Sequence, residues 1–159
     1  MYKRQDHIGG VSLLQQRYGI PVCIPADDAE MLTDNQKNGS AVFGFPVTAV
    51  TGARILKNGE EVQAGKLKFT LLHTPGHTKG SSCYRIEDAL FTGDTLFCGG
   101  VGRTDLYGGN LSDLKASVRL LADLPGDFRV YPGHGESTTL AAERAANPYM
   151  GRNGYDTLF

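Results

Sequence analysis

The tripeptide Pro-Gly-His occurs twice in this chain, each time directly after an apolar segment typical of a β-strand. His77 ends the first copy, after residues 69–72, and His134 ends the second. A third strand-like segment, residues 89–92, leads through a glycine to Asp94. Because Pro-Gly and Gly-Asp favour tight turns, three predicted strands each end in a turn that carries one ligand-type side chain. The pattern predicts a sheet whose strand ends bring these side chains to one site.

A second pair of ligand-type residues, Asp6 and His7, lies near the N-terminus, just before two glycines and a predicted helix. In a loop, unlike in a strand, both side chains can face the same point. A solvated terminus is the other reading of this pair. The nitrogen and oxygen donors, without thiolate, suit zinc, iron or manganese. A carboxylate that bridges two ions ~3.5–4 Å apart would make a two-metal hydrolytic centre. The candidate metal ligands are Asp6, His7, His77, Asp94 and His134, with His73 expected to pack or support rather than to bind metal.

Composition and charge exclude several classes of function. The chain has 159 residues, the length of one domain, and a formal net charge of -1 with no run of basic residues, so no nucleic-acid partner is expected. No apolar stretch has the length of a membrane span, and no signal-like segment opens the chain, so we expect a cytoplasmic protein without a membrane partner. The cysteines are predicted to be reduced and to serve as small apolar filler; they are Cys23, Cys83 and Cys98.

The remaining pattern predicts a mixed α/β layered domain. A Gly-rich loop after Asp94 holds Arg103 and Tyr107, which we expect either to contact substrate or to form an ordinary polar surface loop. The predicted elements are helices over Gly10–Tyr18, Leu111–Leu124 and Thr138–Ala146, one or two helical turns over Ala26–Leu32, strands over Pro21–Ile24, Lys66–His73, Ser82–Ile86, Ala89–Thr92 and Phe128–Tyr131, and a hairpin over residues 54–62 turned at Asn58-Gly59.

The motifs together resemble a known family. Residues 73–82 (HTPGHTKGSS), 91–97 (FTGDTLF) and 130–135 (VYPGHG) are similar to the metal-binding motifs of the metallo-β-lactamase superfamily. Residues 102–105 and 143–148 resemble its hydroxyacylglutathione hydrolase (glyoxalase II)-like members. The resemblance runs from Asp6 to about Met150. It implies an α+β fold, the αβ/βα four-layer sandwich of that family, here lacking its opening strands.

The chain departs from the family pattern at its start. The first metal motif of the family reads HxHxDH, and only its last two residues are present, as Asp6 and His7. Tyr2 and Arg4 stand where the two earlier histidines would fall, and an arginine has no lone pair to give a metal. We expect residues 1–5 to be a non-native leader on an N-terminally truncated chain, because the codons GTG TAT AAG AGA CAG would encode them and resemble a sequencing-adapter end. The expected organisation is then a partial domain over residues 6–150 and a tail over 151–159; a genuine short protein with a degenerate site is the alternative.

The resemblance also implies a function. It implies hydrolysis of a small-molecule thioester or related acyl compound by water activated on two divalent ions in the full-length parent, zinc first and iron or manganese as alternatives. Asp94 would bridge the ions, Asp6 would ligate one ion and orient the water, and Arg103 and Tyr107 would contact substrate. In this chain we expect at most one tightly bound ion and impaired activity. The alternatives are a persulfide dioxygenase-like mononuclear iron oxygenase and an inactive remnant.

Overall fold

The computed structural model of the chain describes residues 5–151. The predicted leader and tail therefore lie outside the described residues, except for Gln5 and Gly151. The helices are α1 (Gln5–Ile8), α2 (Val11–Tyr18), α3 (Ser40–Phe43), α4 (Leu111–Ala122) and α5 (Leu140–Ala146), with one 3-10 helix (Ala26–Leu32). The strands are β1 (Cys23–Pro25), β2 (Arg54–Leu56), β3 (Glu61–Ala64), β4 (Leu67–His73), β5 (Ser82–Ile86), β6 (Ala89–Gly93), β7 (Leu96–Phe97), β8 (Gly100–Val101), β9 (Arg129–Pro132) and β10 (Thr138–Thr139).

A six-stranded mixed sheet with the order β10-β9-β6-β5-β4-β3 organises the domain. Strand β5 pairs antiparallel with both β4 and β6, and β6 pairs parallel with β9. Strands β4, β6 and β9 therefore run in the same direction, and their carboxyl ends lie at the same edge. This topology confirms the sequence-based expectation that the three ligand-bearing turns meet.

Helix α4 covers one face of this sheet, and its sequence accounts for both its start and its packing. The Asn110 side chain caps the helix by accepting a hydrogen bond from the Asp113 amide (3.1 Å). Leu114, Val118 and Leu121 recur at helical spacing, and all three are almost fully buried. They form the main core with residues of the sheet and of α5, namely Cys83, Leu90, Leu96, Val130, Leu140 and Met150.

A smaller second core lies beneath the 3-10 helix. Strands β1 and β2 pair in parallel as a separate two-stranded sheet, and Ile24, Leu32 and Val50 pack together there. Strands β7 and β8 form a third, two-stranded sheet. The mixture of sheets and helices confirms the α+β class.

The predicted hairpin over residues 54–62 is wrong. Strand β2 pairs with β1, whereas β3 pairs antiparallel with β4, so the turn at Asn58-Gly59 carries the chain from one sheet to another. The turn itself forms: Gly59 has a φ of 76°, and the Glu60 amide donates to the Lys57 carbonyl at 3.0 Å. The strands that flank the turn, β2 and β3, pair with other strands because of contacts between residues distant in sequence, which a local turn signal does not encode.

Helix α2 forms as predicted, with Gly19 ending it in the left-handed region (φ 61°). Three of its apolar residues are exposed: Leu13 by 66%, Leu14 by 47% and Tyr18 by 62%. One further expectation needs correction. Cys83 is buried as expected, whereas Cys98 is exposed and is not core filler.

An apolar groove of about 760 Å³ lies beside α2. One wall includes Val11, Leu14 and Val22, and the sheet wall includes Phe69, Phe91 and Tyr131. In the described range, no helix is long and apolar enough to cross a membrane.

Candidate metal centre

All five predicted ligands converge at the shared edge of the sheet. His77 follows the end of β4, Asp94 follows β6 directly, and His134 lies just beyond β9. Asp6 and His7 reach the same point from the single turn of α1. A helical turn, rather than the loop that the sequence suggested, therefore directs both neighbouring side chains into the site.

The ligand atoms are close enough to share an ion. His7 Nε2 lies 3.0 Å from His134 Nε2 and 3.5 Å from one oxygen of each carboxylate, Asp6 and Asp94. His134 Nε2 lies 3.1 Å from Asp6 Oδ2 and 3.7 Å from Asp94 Oδ1. His77 Nε2 lies 3.5 Å from Asp94 Oδ2. Asp94 thus contacts histidines from both sides of the cluster.

These spacings fit a metal ion. Donor atoms about 2.1 Å from a tetrahedral ion lie about 3.4 Å from one another, which is the middle of the observed range. Asp94 is 6% exposed, and its Oδ1 is a buried oxygen without a hydrogen-bond partner among the described residues. A buried carboxylate oxygen left without a donor is costly, and a cation would compensate it. Asp6, His7 and His134 form the set that could hold one ion together with Asp94.

The orientation of His77 is fixed by its other ring nitrogen. His77 Nδ1 lies 2.8 Å from the Arg103 carbonyl, which can only accept, so Nδ1 carries the proton. In the neutral ring Nε2 then carries the lone pair and faces Asp94, as a metal ligand must. The predicted Gly-rich loop thus contributes a backbone carbonyl to the site, a role that its side chains do not indicate.

Gly133 allows the turn after β9 to lie directly against Asp94. A Cβ at this position would be 2.3 Å from Asp94 Oδ1 and 2.8 Å from His7 Cε1. The Gly133 amide donates to the Gly93 carbonyl at 2.8 Å, which ties the turns after β6 and β9 together. Any side chain here would push apart the residues that the turn brings together.

A cavity of about 490 Å³ opens onto the cluster. Besides ligand residues, it is lined by Phe43, Phe97, Val101, Gly102, Arg103 and Leu106. Arg103 thus borders the cavity, although its guanidinium makes a bidentate pair with Asp105, both distances being 2.6 Å. The hydrogen bond to Asp105 raises the pKa of Arg103, whose guanidinium is charged in any case.

Tyr107 is not among the described residues that line this cavity. Its hydroxyl donates to Glu30 Oε1 at 2.6 Å, and this hydrogen bond raises the pKa of the phenol. The hydrogen bond from Lys37 lowers the pKa of Glu30, and the hydrogen bond from Tyr107 lowers it further by a smaller amount. The structure therefore separates the two residues that the sequence placed together as substrate contacts.

His73 lies apart from the ligand cluster, as expected. Its Nε2 is 2.9 Å from the Lys79 carbonyl and 3.8 Å from Asp27 Oδ2. It supports the loop that follows His77 and is not part of the ligand set.

Two buried carboxylates that support the site were missed by the sequence reasoning. Asp28, in the 3-10 helix, accepts hydrogen bonds from Thr78 and Gly80, next to His77. Glu143, in α5, accepts from the Gly99 amide at 2.9 Å, in the segment that forms one wall of the cavity. No local signal could have found Asp28, whereas Glu143 belongs to the segment 143–148 that carried part of the family resemblance.

Comparison with known proteins agrees with this arrangement. The sequence profile of the metallo-beta-lactamase superfamily matches residues 5–134. This match covers most of the chain, and the ligand cluster lies within it. The chain belongs to the metallo-beta-lactamase superfamily and to its metallo-hydrolase class.

Individual relatives are longer than this chain. The chain is 37% identical over 154 residues to the probable metallo-hydrolase YqgX of Bacillus subtilis, covering 94% of this chain and 72% of that protein. It is 33% identical over 150 residues to the hydroxyacylglutathione hydrolase GloC of Haemophilus influenzae, covering 91% of this chain and 71% of that protein.

Solved structures share the fold. The crystal structure of the BLEG-1 B3 metallo-beta-lactamase aligns with a TM-score of 0.87 and 37% identity, over 94% of this chain and 74% of that chain. The structure of TTHA1623 in a di-iron-bound form aligns with a TM-score of 0.84 and 32% identity, over 93% and 74%. That of ETHE1 from Myxococcus xanthus aligns with a TM-score of 0.74 and 30% identity, over 99% and 67%.

Proposed function

We propose that this protein is a metal-dependent hydrolase of thioesters or related acyl compounds, similar to glyoxalase II. The observation that carries the proposal is the meeting of three histidines and the Asp6 carboxylate around Asp94, whose buried Oδ1 has no hydrogen-bond partner among the described residues. The likeness to a relative named hydroxyacylglutathione hydrolase supports the substrate class. Divalent ions bound there would polarise a substrate carbonyl and lower the pKa of water.

The side chains around that centre have separable roles in the proposal. Asp94 lies between His7 and His77 and would supply carboxylate oxygens to the bound metal. About half of the Asp6 side-chain surface is exposed. Asp6 would bind one metal ion and accept a hydrogen bond from the attacking water. Arg103 borders the cavity and would attract an anionic part of the substrate, in competition with Asp105. Phe43 and Phe97 would contact its apolar part.

Metal content follows from the donor count. Asp6, His7, His134 and Asp94 supply one nearly complete set of ligands, whereas the second set keeps only His77 and Asp94. Tyr2 and Arg4 occupy the two sequence positions that would complete the second set in the family pattern. We therefore propose one tightly bound ion per chain, zinc first, and hydrolysis that is slow compared with that of a complete two-metal centre.

The test combines metal analysis with turnover. The purified chain is loaded separately with zinc, iron and manganese, and each form is assayed with a hydroxyacylglutathione thioester and with a β-lactam, because BLEG-1 is named a metallo-beta-lactamase. We expect about one zinc per chain and measurable thioester hydrolysis that Asp94→Asn and His134→Gln abolish. Lys68→Gln, at an exposed ion pair on β4, is the control and should leave both unchanged.

Other outcomes decide between the remaining functions. One iron per chain together with dioxygen uptake on a persulfide would replace the proposal with the persulfide dioxygenase alternative. A failure to bind any of the three metals would mark the chain as an inactive remnant. Hydrolysis of the β-lactam alone would overturn the thioester assignment while leaving the metal centre intact.

A further inference from the structure

Asp28 is a buried carboxylate outside the ligand cluster. It lies in the 3-10 helix, is 1% exposed, and both of its oxygens accept hydrogen bonds. The Thr78 hydroxyl donates to Oδ2 at 2.6 Å, and the Gly80 amide donates to Oδ1 at 2.8 Å. Burying a carboxylate is costly unless such donors compensate it, so both bonds stabilise Asp28 in the interior.

The segment that Asp28 contacts, residues 76–81, is also held together by hydrogen bonds between its own residues. The Thr78 amide donates to Ser81 Oγ at 2.9 Å, and the two hydroxyls lie 2.8 Å apart. The Gly76 amide donates to the Thr78 carbonyl at 3.0 Å. Gly80 lies so close to the 3-10 helix that a Cβ would be 2.7 Å from Asp28 Cγ. Asp28 therefore fixes the whole segment 76–81 and not a single side chain.

His77 lies within that segment, one peptide bond before Thr78. Its side chain is 3% exposed, with Nδ1 bonded to the Arg103 carbonyl and Nε2 facing Asp94. For both contacts to be made at once, the backbone of His77 has to be placed correctly. The anchor on its C-terminal side is the bond from Thr78 to Asp28, about 50 residues away in sequence.

We infer that Asp28 is a positioning residue for the metal centre: through Thr78 and Gly80 it holds His77 with Nε2 directed at Asp94. This inference rests on the proposed function for its metal-binding consequence, but its geometric part does not. Loss of the carboxylate frees segment 76–81, and the imidazole then samples both tautomers and several orientations. Supporting residues that orient a ligand are typically worth about 10- to 100-fold in metal affinity.

The first variant is Asp28→Asn, which keeps the size of the side chain but can accept at only one oxygen. Thr78→Val removes the hydroxyl from the other side of the same bond, and Thr78→Ser restores it. Leu121→Ala controls for loss of stability, because it opens the core beneath α4 without touching the site. Asp123→Asn controls for loss of an exposed carboxylate.

The metal-free readout is the ring tautomer of His77, measured by nitrogen NMR and assigned with His77→Gln. The unmodified chain should show a single tautomer with the proton on Nδ1. Asp28→Asn and Thr78→Val should show mixed tautomers, whereas Thr78→Ser and both controls should keep the single one. A His77 that remains a single Nδ1 tautomer in Asp28→Asn and Thr78→Val would overturn the inference, whether or not metal binds.

The metal readout is a Co²⁺ titration followed through paramagnetic shifts of the histidine rings. In the unmodified chain His7, His77 and His134 should shift, and His73 much less. In Asp28→Asn the Co²⁺ concentration at which His77 shows the large contact shifts of a directly coordinated ring should rise about 10- to 100-fold, with that for His7 and His134 unchanged. An equal rise for all three histidines, matched by Leu121→Ala, would reduce Asp28 to a stabilising residue and contradict the inference. If no histidine shifts in the unmodified chain, the proposed metal function fails, and the tautomer measurement alone decides the role of Asp28.

Discussion

Replacement of Gly133 by alanine should disrupt the metal centre directly, because the added Cβ would meet two of the candidate ligands, Asp94 and His7. The added Cβ would lie 2.3 Å from Asp94 Oδ1, whereas real Cβ contacts essentially never fall below 3.0 Å. Restoring an ordinary contact of about 3.5 Å requires the turn and Asp94 to separate by about 1 Å. His7 Cε1, 2.8 Å from the same Cβ, has to move as well.

Two effects of different size follow from this displacement. Overpacking costs about 1–3 kcal/mol, which corresponds to a fall in Tm of roughly 3–10 °C for a chain of this length. A displacement of about 1 Å at a reacting centre costs about 10²-fold in turnover, and disturbed ligand support costs about 10- to 100-fold in metal affinity. The functional loss should therefore exceed what the fraction of unfolded protein explains at room temperature.

The assay measures zinc affinity by competition with a chromophoric chelator, and Tm by circular dichroism in the metal-free chain. Gly10→Ala is the matched control, since Gly10 has a φ of -96° and no atom within 4 Å of its added Cβ. We expect the control to bind zinc as the unmodified chain does. If Gly133→Ala keeps both its zinc affinity and its Tm to within about one degree, the turn does not lie against Asp94 as described.

Two further predictions concern residues outside the ligand cluster. Glu143→Gln should destabilise the chain by about 1–3 kcal/mol, because Oε1 and Oε2 accept from Thr138 and from Gly99 and Asn147, and an amide can accept at only one atom; chemical denaturation measures this, and an unchanged midpoint would contradict it. Cys98 should react with a thiol reagent at neutral pH, whereas burial raises the pKa of Cys83 to about 11 and should protect it until unfolding; peptide mapping by mass spectrometry distinguishes the two thiols, and prompt labelling of Cys83 in the folded chain would refute its burial.

The convergence of His77, Asp94 and His134 was predictable because it depends on repeated local signals. Each residue follows an apolar strand and a turn, and strands that run in one direction end at one edge of their sheet. Helix α4 was predictable for the same reason: its apolar period and its Asn110 cap are both local. In each case the residues close in sequence contain the information that decides the structure.

The sequence-based predictions failed where contacts between residues distant in sequence determine the structure. The Asn58-Gly59 turn formed, but the pairing of β2 with β1 depends on residues about 30 positions earlier in the sequence. Asp28 lies in the stretch Ala-Asp-Asp-Ala-Glu, which reads as a solvated surface because carboxylates are rarely buried without partners. Its donors come from a loop about 50 residues later, so only the folded structure shows that it is buried.

The supports of the site are unequal, and this has a consequence for metal binding. The turns that carry His77, Asp94 and His134 follow strands of the central sheet, and the buried Asp28 and the Gly133 amide add to their support. Asp6 and His7 lie instead on a helix of four residues, and a single helical turn has little stability of its own. An ion that contacts both groups would therefore contribute more to ordering α1 than to ordering the strand ends. Part of its binding free energy would offset that ordering, so the affinity of the centre depends on how firmly α1 is held, as well as on the ligands themselves.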